Sequence, residues 1–310
     1  MRARTILPLG AVAAGATTLA YASLVERNWF ALREADVPVL APGSRPVRVL
    51  HISDVHLTPG RRRLMDWLSA LDRLEPDLVV NTGDSIAHPD AVRHFVEALG
   101  PLLDRPGVFV FGSNDLYRPR PKNPARYLWE TSARRYPRKG PDLPWEKLGD
   151  AMRDAGWLDA NNQRGRITAG GLDIAVAGVH DPHVKRDRYE RVAGAADPAA
   201  GLRLGVMHSP EPRVMDRFTA DGYDLLLAGH THGGQLCLPG IGTLVTNCEI
   251  DRERASGLHR HPAVGEPPIE GHRAWLNVSA GLGTSPWAPY RFACRPEASL
   301  LTLVPATTGD

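Results

Sequence analysis

The sequence predicts an α/β fold of stacked layers, and three observations carry that expectation. Short apolar runs of strand character alternate with segments of helical period, from "VRVLHIS" through "GVFVFGS", in the order strand, helix, strand, helix, strand. The chain has 310 residues, enough for a large core. Its apolar runs also end, again and again, in a residue able to bind a metal. In layered α/β folds the carboxyl ends of strands are where loops converge on a ligand.

The N-terminus stands apart. Arg2 and Arg4 precede an uncharged run from Thr5 to Leu24, about the 20 residues needed to cross a bilayer. It reads as a signal anchor over residues 1–24, with the remainder extracytoplasmic. The alternative is a cleaved signal peptide ending in the small-residue site Ala20 to Ala22, which would make the protein secreted. Residues 25–46, with Pro38, Pro42 and Pro46, read as a linker. The globular domain is then expected over 47–305.

Within that domain, Leu64, Trp67, Leu68 and Leu71 share one helical face. "DLVVNTGD", the helical segment "DAVRHFVEALGPLL" and "GVFVFGS" follow. Residues 116–145 lack any period and read as a long loop or cap, in which Tyr117 and Trp129 are candidates to shape a pocket. "RITAGGLDIAVAGV" predicts a hairpin turning at Gly170 and Gly171. "LRLGVMHS", "YDLLLAGHTH", "AWLNVS" and "ASLLTLV" supply further strands. Helices are expected over Trp145 to Ala155 and Glu211 to Thr219.

Charge narrows the function classes. Lys and Arg number 37 against 35 Asp and Glu, a net charge of +2, so nucleic-acid binding is not expected. No sequence feature indicates a protein partner. Cys237, Cys248 and Cys294 form no CxxC pattern, which argues against a thiolate zinc site or a disulfide framework.

The strand ends carry the chemistry. "VLHIS" leads to Asp54 and His56, "LVVNTG" to Asp84, "VFVFGS" to Asn114 and Asp115, "LGVM" to His208, and "LLLAG" to His230 and His232. A single Asp or His after a strand is ordinary turn or cap chemistry. Five such ends are not, and two of them hold pairs at i, i+2, which point the same way in extended chain.

Taken together, "SDVH", "TGDS", "GSND", "MHS" and "GHTHGGQ" resemble the calcineurin-like metallophosphoesterase superfamily, from about Val47 to Leu303. "GHTHGGQLCLPG", "HDPH" and "RPEASLLTL" look like its membrane-associated bacterial branch. The resemblance implies a four-layer α/β/β/α sandwich holding two divalent metal ions. It implies Asp54, His56 and His232 on one metal, and Asp84 bridging both. An Asn of the third motif, His208 and His230 would hold the second. A ligand set of carboxylate, imidazole and amide suits Mn²⁺, Fe²⁺ or Zn²⁺. The implied activity is hydrolysis of a phosphomonoester, phosphodiester or pyrophosphate by a water bridging the metals. A lipid-linked or cell-envelope phosphate is the substrate class the anchor suggests.

The third motif departs from the family's Gly-Asn-His-Asp. In strict register Ser113 replaces the ligand and Asn114 the acid. A one-residue slip makes Asn114 the ligand and puts Asp115 at the His position, beside the substrate. Serine is a poor neutral ligand, which favours the slip. The usual His acid is absent either way, and His180 is a replacement to weigh against an ordinary loop residue. Arg291 and Arg295 are candidates for phosphate contact. The missing His also raises the alternative of a catalytically weak metal-bound sensor or scaffold. A purely structural metal site fits less well, since such sites are closed and thiolate-rich.

Overall fold

The computed structural model describes residues 13–121 and 141–306. Fourteen strands are placed among these. They are β1 (Ala31–Leu40), β2 (Val47–Ile52), β3 (Leu78–Asn81), β4 (Gly107–Phe109), β5 (Leu158–Asp159), β6 (Gln163–Ala169) and β7 (Leu172–Gly178), followed by β8 (Leu202–Val206), β9 (Leu225–Ala228), β10 (Cys237–Leu238), β11 (Gly242–Thr243), β12 (Gly257–His261), β13 (Ala274–Val278) and β14 (Glu297–Pro305). One six-stranded sheet has the order β1-β14-β2-β3-β4-β5 and the other β12-β13-β9-β8-β7-β6. The centre of each is parallel: β2 to β5 in the first, β7, β8, β9 and β13 in the second.

Strand alternation builds the layers, because successive side chains face opposite sides of a sheet. On β2, Leu50 and Ile52 face a core shared with α2 (Arg62–Ala70), α3 (Ala91–Leu99) and α5 (Trp145–Asp154), through Leu64, Leu68, Phe95, Leu99 and Leu148. Val47 and Val49 face the other way, into a core between the two sheets that holds Val176, Leu204, Val206, Leu225 and Leu227. Leu226 and Ala228 turn to a third core, packed by Val214, Met215 and Phe218 of α6 (Pro212–Ala220). Three cores separate four layers, α/β/β/α. Gly170 and Gly171 turn the β6–β7 hairpin as the sequence predicts.

Two expectations change. Residues 25–46 are not a free linker: β1 runs parallel to β14 in register from Ala31–Glu297 to Val37–Leu303, with Val37 and Leu40 buried. Pro38 reads as a breaker in sequence, but an edge strand tolerates proline because one side of it has no ladder partner. In the N-terminal region, residues 1–12 lie outside the described residues. Helix α1 is described over 13–20 and continues into a π-helical turn at Tyr21–Val25. No helix among the described residues is long and apolar enough to cross a membrane. Trp129 and most of the expected cap, residues 122–140, also lie outside the described residues.

Candidate metal centre

The loops after β2, β3, β4, β8 and β9 meet at one place. The loops after β2 and β3 zip together outside any ladder: the N–H of Asp54 donates to Gly83 O, that of His56 to Asp84 O and that of Leu57 to Ser85 O, at 2.9, 2.9 and 3.0 Å. Asp54, His56, Asp84, His230 and His232 all adopt left-handed backbone, with φ between 44° and 71°. Non-glycine residues seldom hold that conformation, and where they do it concentrates at functional sites. The extended geometry expected for the two i, i+2 pairs is therefore replaced by tightly curled loops, yet each pair still reaches one centre.

The side chains converge in two overlapping groups, Asp54 with His56 and His232, and Asp54 with Asp84 and His208; within each, the ligand-type atoms lie within 4.8 Å of one another. In the first, His56 Nε2 faces His232 Nε2 at 3.2 Å, and Asp54 Oδ1 lies 3.9 and 3.6 Å from those two nitrogens. In the second, His208 Nε2 lies 3.5 Å from Asp84 Oδ2 and 3.2 Å from His230 Nδ1. Asp84 Oδ2 also lies 3.5 Å from His56 Nε2 and 2.5 Å from the Asn114 amide. One carboxylate oxygen thus touches members of both groups. Gly112 allows this approach, since a Cβ there would sit 2.2 Å from Asp84 Oδ1.

The arrangement fits cations. Imidazole nitrogens gathered at this range, and a buried Asp54 Oδ1 with no hydrogen-bond partner, are ligand-type atoms aimed at a shared point. The outer contacts set tautomers. His208 Nδ1 lies 2.8 Å from Thr82 O, an acceptor only, so it carries a proton, and Nε2 is the nitrogen that faces the site. Asp54 Oδ2 accepts from Ser53 Oγ and from His230 N at 2.5 and 2.9 Å. Burial holds His56, His230 and His232 below the usual histidine range; neighbouring His56 and Arg291 add to the effect at His232. Burial also opposes charge on His208 and Asp84, but Asp84 with Asp181 holds His208 well above its ordinary value, and His208 with His56 holds Asp84 well below its own.

Four sequence expectations are corrected. Asp115 does not face a substrate. It is fully buried, and its carboxylate accepts from the backbone N–H groups of Asp84, Ser85, Ile86 and Gly112 at 2.8, 2.7, 3.2 and 2.9 Å. It sits at the third position of α4 (Ser113–Leu116) and reaches back to the residue before the helix, the acidic half of a capping box. Burial and then the Asp84 charge push its carboxyl up to about 7.

Nor is His180 placed as an acid. Its Nδ1 accepts from the Asp181 N–H at 2.7 Å, its ring packs near Phe111, and burial with Arg186 pushes it down to about 3. The "HDPH" phrase instead brings His183 to the centre, with its ring centroid 4.2 Å from that of His230.

Arg291 is wholly buried, and Nη2 donates to Ala280 O, Gly281 O and Gly283 O at 2.7, 3.0 and 2.8 Å. Its Nη2 also approaches His232 Nδ1 at 3.3 Å, so it frames His232. Arg295 donates to Trp29 O and Phe30 O at 2.8 Å each and covers the Trp29 ring, holding the N-terminal segment down. Tyr117 Oη accepts from Arg186. The sequence reading missed His183 and Asn247, whose amide lies 3.3 Å from His230 Nε2; the first was visible in "HDPH", the second had no local signal.

Residues 47–234 match the calcineurin-like phosphoesterase family. The chain is 24% identical to a protein named Phosphodiesterase YaeI from Escherichia coli over 308 residues, 98% of this chain and 99% of that protein. It is 26% identical to the uncharacterized metallophosphoesterase YkuE of Bacillus subtilis, over 95% and 94% of the two chains, and 26% identical to the uncharacterized protein YpbG of the same organism, over 84% and 82%. With its metal-ready cluster at the strand ends, the chain belongs to the calcineurin-like phosphoesterase family and is a metal-dependent phosphoric ester hydrolase.

Proposed function

We propose that the centre holds two divalent cations and hydrolyses a phosphomonoester, phosphodiester or pyrophosphate. The observation that carries this reading is Asp84 Oδ2, in reach of His56, His208 and Asn114 at once, as a bridging carboxylate must be. Asp54, His56 and His232 would hold one cation, and Asn114, His208 and His230 the other. When bound, the pair supplies positive charge for phosphate oxygens and lowers the pKa of an attacking water. Asp54 and Asp84 together balance half the charge of two dications, which leaves the site cationic toward a phosphate. His208, fixed by Thr82 O, presents Nε2 to the site without reorientation and would yield its proton there to a cation. Asn114 donates its own N–H to Asp84 Oδ1 at 2.7 Å and so orients the carboxylate. Asp115 holds the β3 and β4 loops together behind the site.

The test is Asp84→Ala. Bound metal, measured by elemental analysis, should fall well below two ions per chain and hydrolysis of chromogenic esters should cease. Two ions retained in this variant would overturn the bridged pair.

We also propose membrane attachment through the N-terminal run, with the catalytic domain outside the cytoplasm and a lipid-linked or envelope phosphate as substrate. Support comes from the length of the uncharged run and from the exposure of Leu19, Leu24, Val25 and Trp29 where it joins the domain. Fractionation of the full chain tests it; an intact N-terminus found wholly in the soluble fraction overturns it.

A further inference from the structure

The three cysteines are scattered in sequence, but two of them meet in the fold beside the metal centre. Cys237 lies on β10 and Cys294 in the loop before β14. The Cys237 thiol donates to Gly233 O at 3.2 Å, and Cys294 Sγ reaches the same oxygen at 3.5 Å. Cys294 Sγ further donates to His232 O at 3.2 Å. Both residues line a cavity of about 590 Å³, with Tyr21, Trp29, Leu238 and Arg295 on its walls, so small solutes have a path to them. Cys248 stands elsewhere, against Thr246 O.

We propose that Cys237 and Cys294 form a redox-active dithiol, closed to an intramolecular disulfide by a small-molecule disulfide, and that closure loosens the turn carrying His232. The coupling to His232 rests on the proposed function; the dithiol itself does not. The exchange proceeds in two displacements. The sulfur of one cysteine attacks the reagent disulfide, forms a mixed disulfide and releases one reagent thiol with the proton. The sulfur of the second cysteine then displaces the other half as a second thiol. Two electrons and two protons pass to the reagent, and one S–S bond of about 2.05 Å joins the pair.

The consequence follows from donors. A disulfide sulfur carries no hydrogen, so the S–H donations to Gly233 O and His232 O both vanish. Gly233 O keeps Thr243 Oγ1 at 3.0 Å, and His232 O keeps the Gln235 N–H at 2.9 Å and a long contact from Arg291 Nη1 at 3.4 Å, so each carbonyl loses one of its donors. The turn is also in direct contact with the thiol: Gly233 has φ 59°, and a Cβ there would fall 2.8 Å from Cys294 Sγ. Motion of Cys294 toward Cys237 is therefore transmitted to the residue that follows a metal ligand. Arg291, three residues before Cys294 on the same loop, provides a second route to His232.

The experiment uses the full chain treated with oxidised glutathione. Thiols counted in denaturant should fall from three to one, and non-reducing peptide mapping should recover a Cys237–Cys294 linked peptide. Calorimetric titration with Mn²⁺ alone should show about a tenfold weaker Kd at one site in the oxidised protein, the size typical of lost outer contacts to a ligand. Dithiothreitol should restore it. The Cys237→Ser, Cys294→Ser double variant should show no dependence on the oxidant. A stable glutathione adduct, a bond to Cys248 or three surviving thiols would overturn the dithiol. A complete bond with unchanged Mn²⁺ binding would overturn the coupling. Failure of the reduced protein to bind Mn²⁺ at all strikes the proposed function and leaves the disulfide mapping standing.

Discussion

Asp115→Ala should unfold much of what holds the metal centre, although Asp115 itself faces no ligand. Its carboxylate is the acceptor for four buried N–H groups, those of Asp84, Ser85, Ile86 and Gly112. An orphaned buried donor costs about 1–3 kcal/mol. Relaxation and water entry will recover part of that, so a loss of about 4 kcal/mol is expected, in the range for breaking a buried charged contact. A domain has only about 5–15 kcal/mol of stability to lose. Asp115→Asn keeps one acceptor oxygen but turns an NH₂ group toward other donors, and should cost about 2 kcal/mol. Urea unfolding of metal-free protein measures both. Elemental analysis should show metal lost as well, because the Asp84 N–H is one of the four anchored groups. The reasoning fails if Asp115→Asn keeps its unfolding midpoint and its metal but turns over poor leaving groups selectively more slowly. That result would make Asp115 a proton donor.

Three further outcomes are expected. Arg291→Met strands the carbonyls of Ala280 and Gly283, leaves Gly281 O with the Glu297 N–H alone, and should cost about 3 kcal/mol of stability by urea unfolding; a variant of unchanged stability with only a raised KM would return Arg291 to a substrate role. Asn114→Ala should weaken metal binding in calorimetric titration by about 10–100-fold or more, while Ser113→Ala leaves it within about twofold; the reverse pattern would establish the strict register. Burial drives His51 from its ordinary 6.5 to about 3, so the folded state holds it neutral while the unfolded chain takes up a proton below pH 6.5. Stability of the metal-free protein should therefore fall as pH drops from 6.5 toward 3, with His51 contributing a slope of up to about 1.4 kcal/mol per pH unit. His51→Gln should make that slope shallower, and an unchanged slope would refute the assignment.

The layers and the convergent Asp and His residues were legible because they are written locally. Period-two alternation in "YDLLLAG" sends Leu225 and Leu227 to one core and Leu226 and Ala228 to another. Each Asp and His of the convergent cluster follows its strand within a few residues. Other features depend on partners distant in the chain. Strand β1 looks like a proline-broken linker until β14, at the other end of the sequence, supplies its ladder. Arg291 and Arg295 carry no local sign of whether a guanidinium will meet phosphate or carbonyl oxygen; the fold provides carbonyls for both. Asp115 shares its dipeptide with any turn, and its role appears only when the β3 loop brings three N–H groups to it.

The backbone of the ligand loops explains why this centre was readable as chemistry but not as conformation. Left-handed φ at Asp54, His56, Asp84, His230 and His232 runs against residue preference, at about 1–3 kcal/mol for each strained position. No local pattern of Asp and His predicts it. The cost is offset by contacts between loops: Asp54 N to Gly83 O, His56 N to Asp84 O, His230 N to the Asp54 carboxylate, and the Asp115 carboxylate behind them. Four of the five, Asp54, His56, Asp84 and His230, are thus held by a loop other than their own. That interdependence gathers the metal-capable atoms at one place before any cation arrives. Removal of a framing residue such as Asp115 or Arg291 should consequently reach the metal site as surely as removal of a ligand.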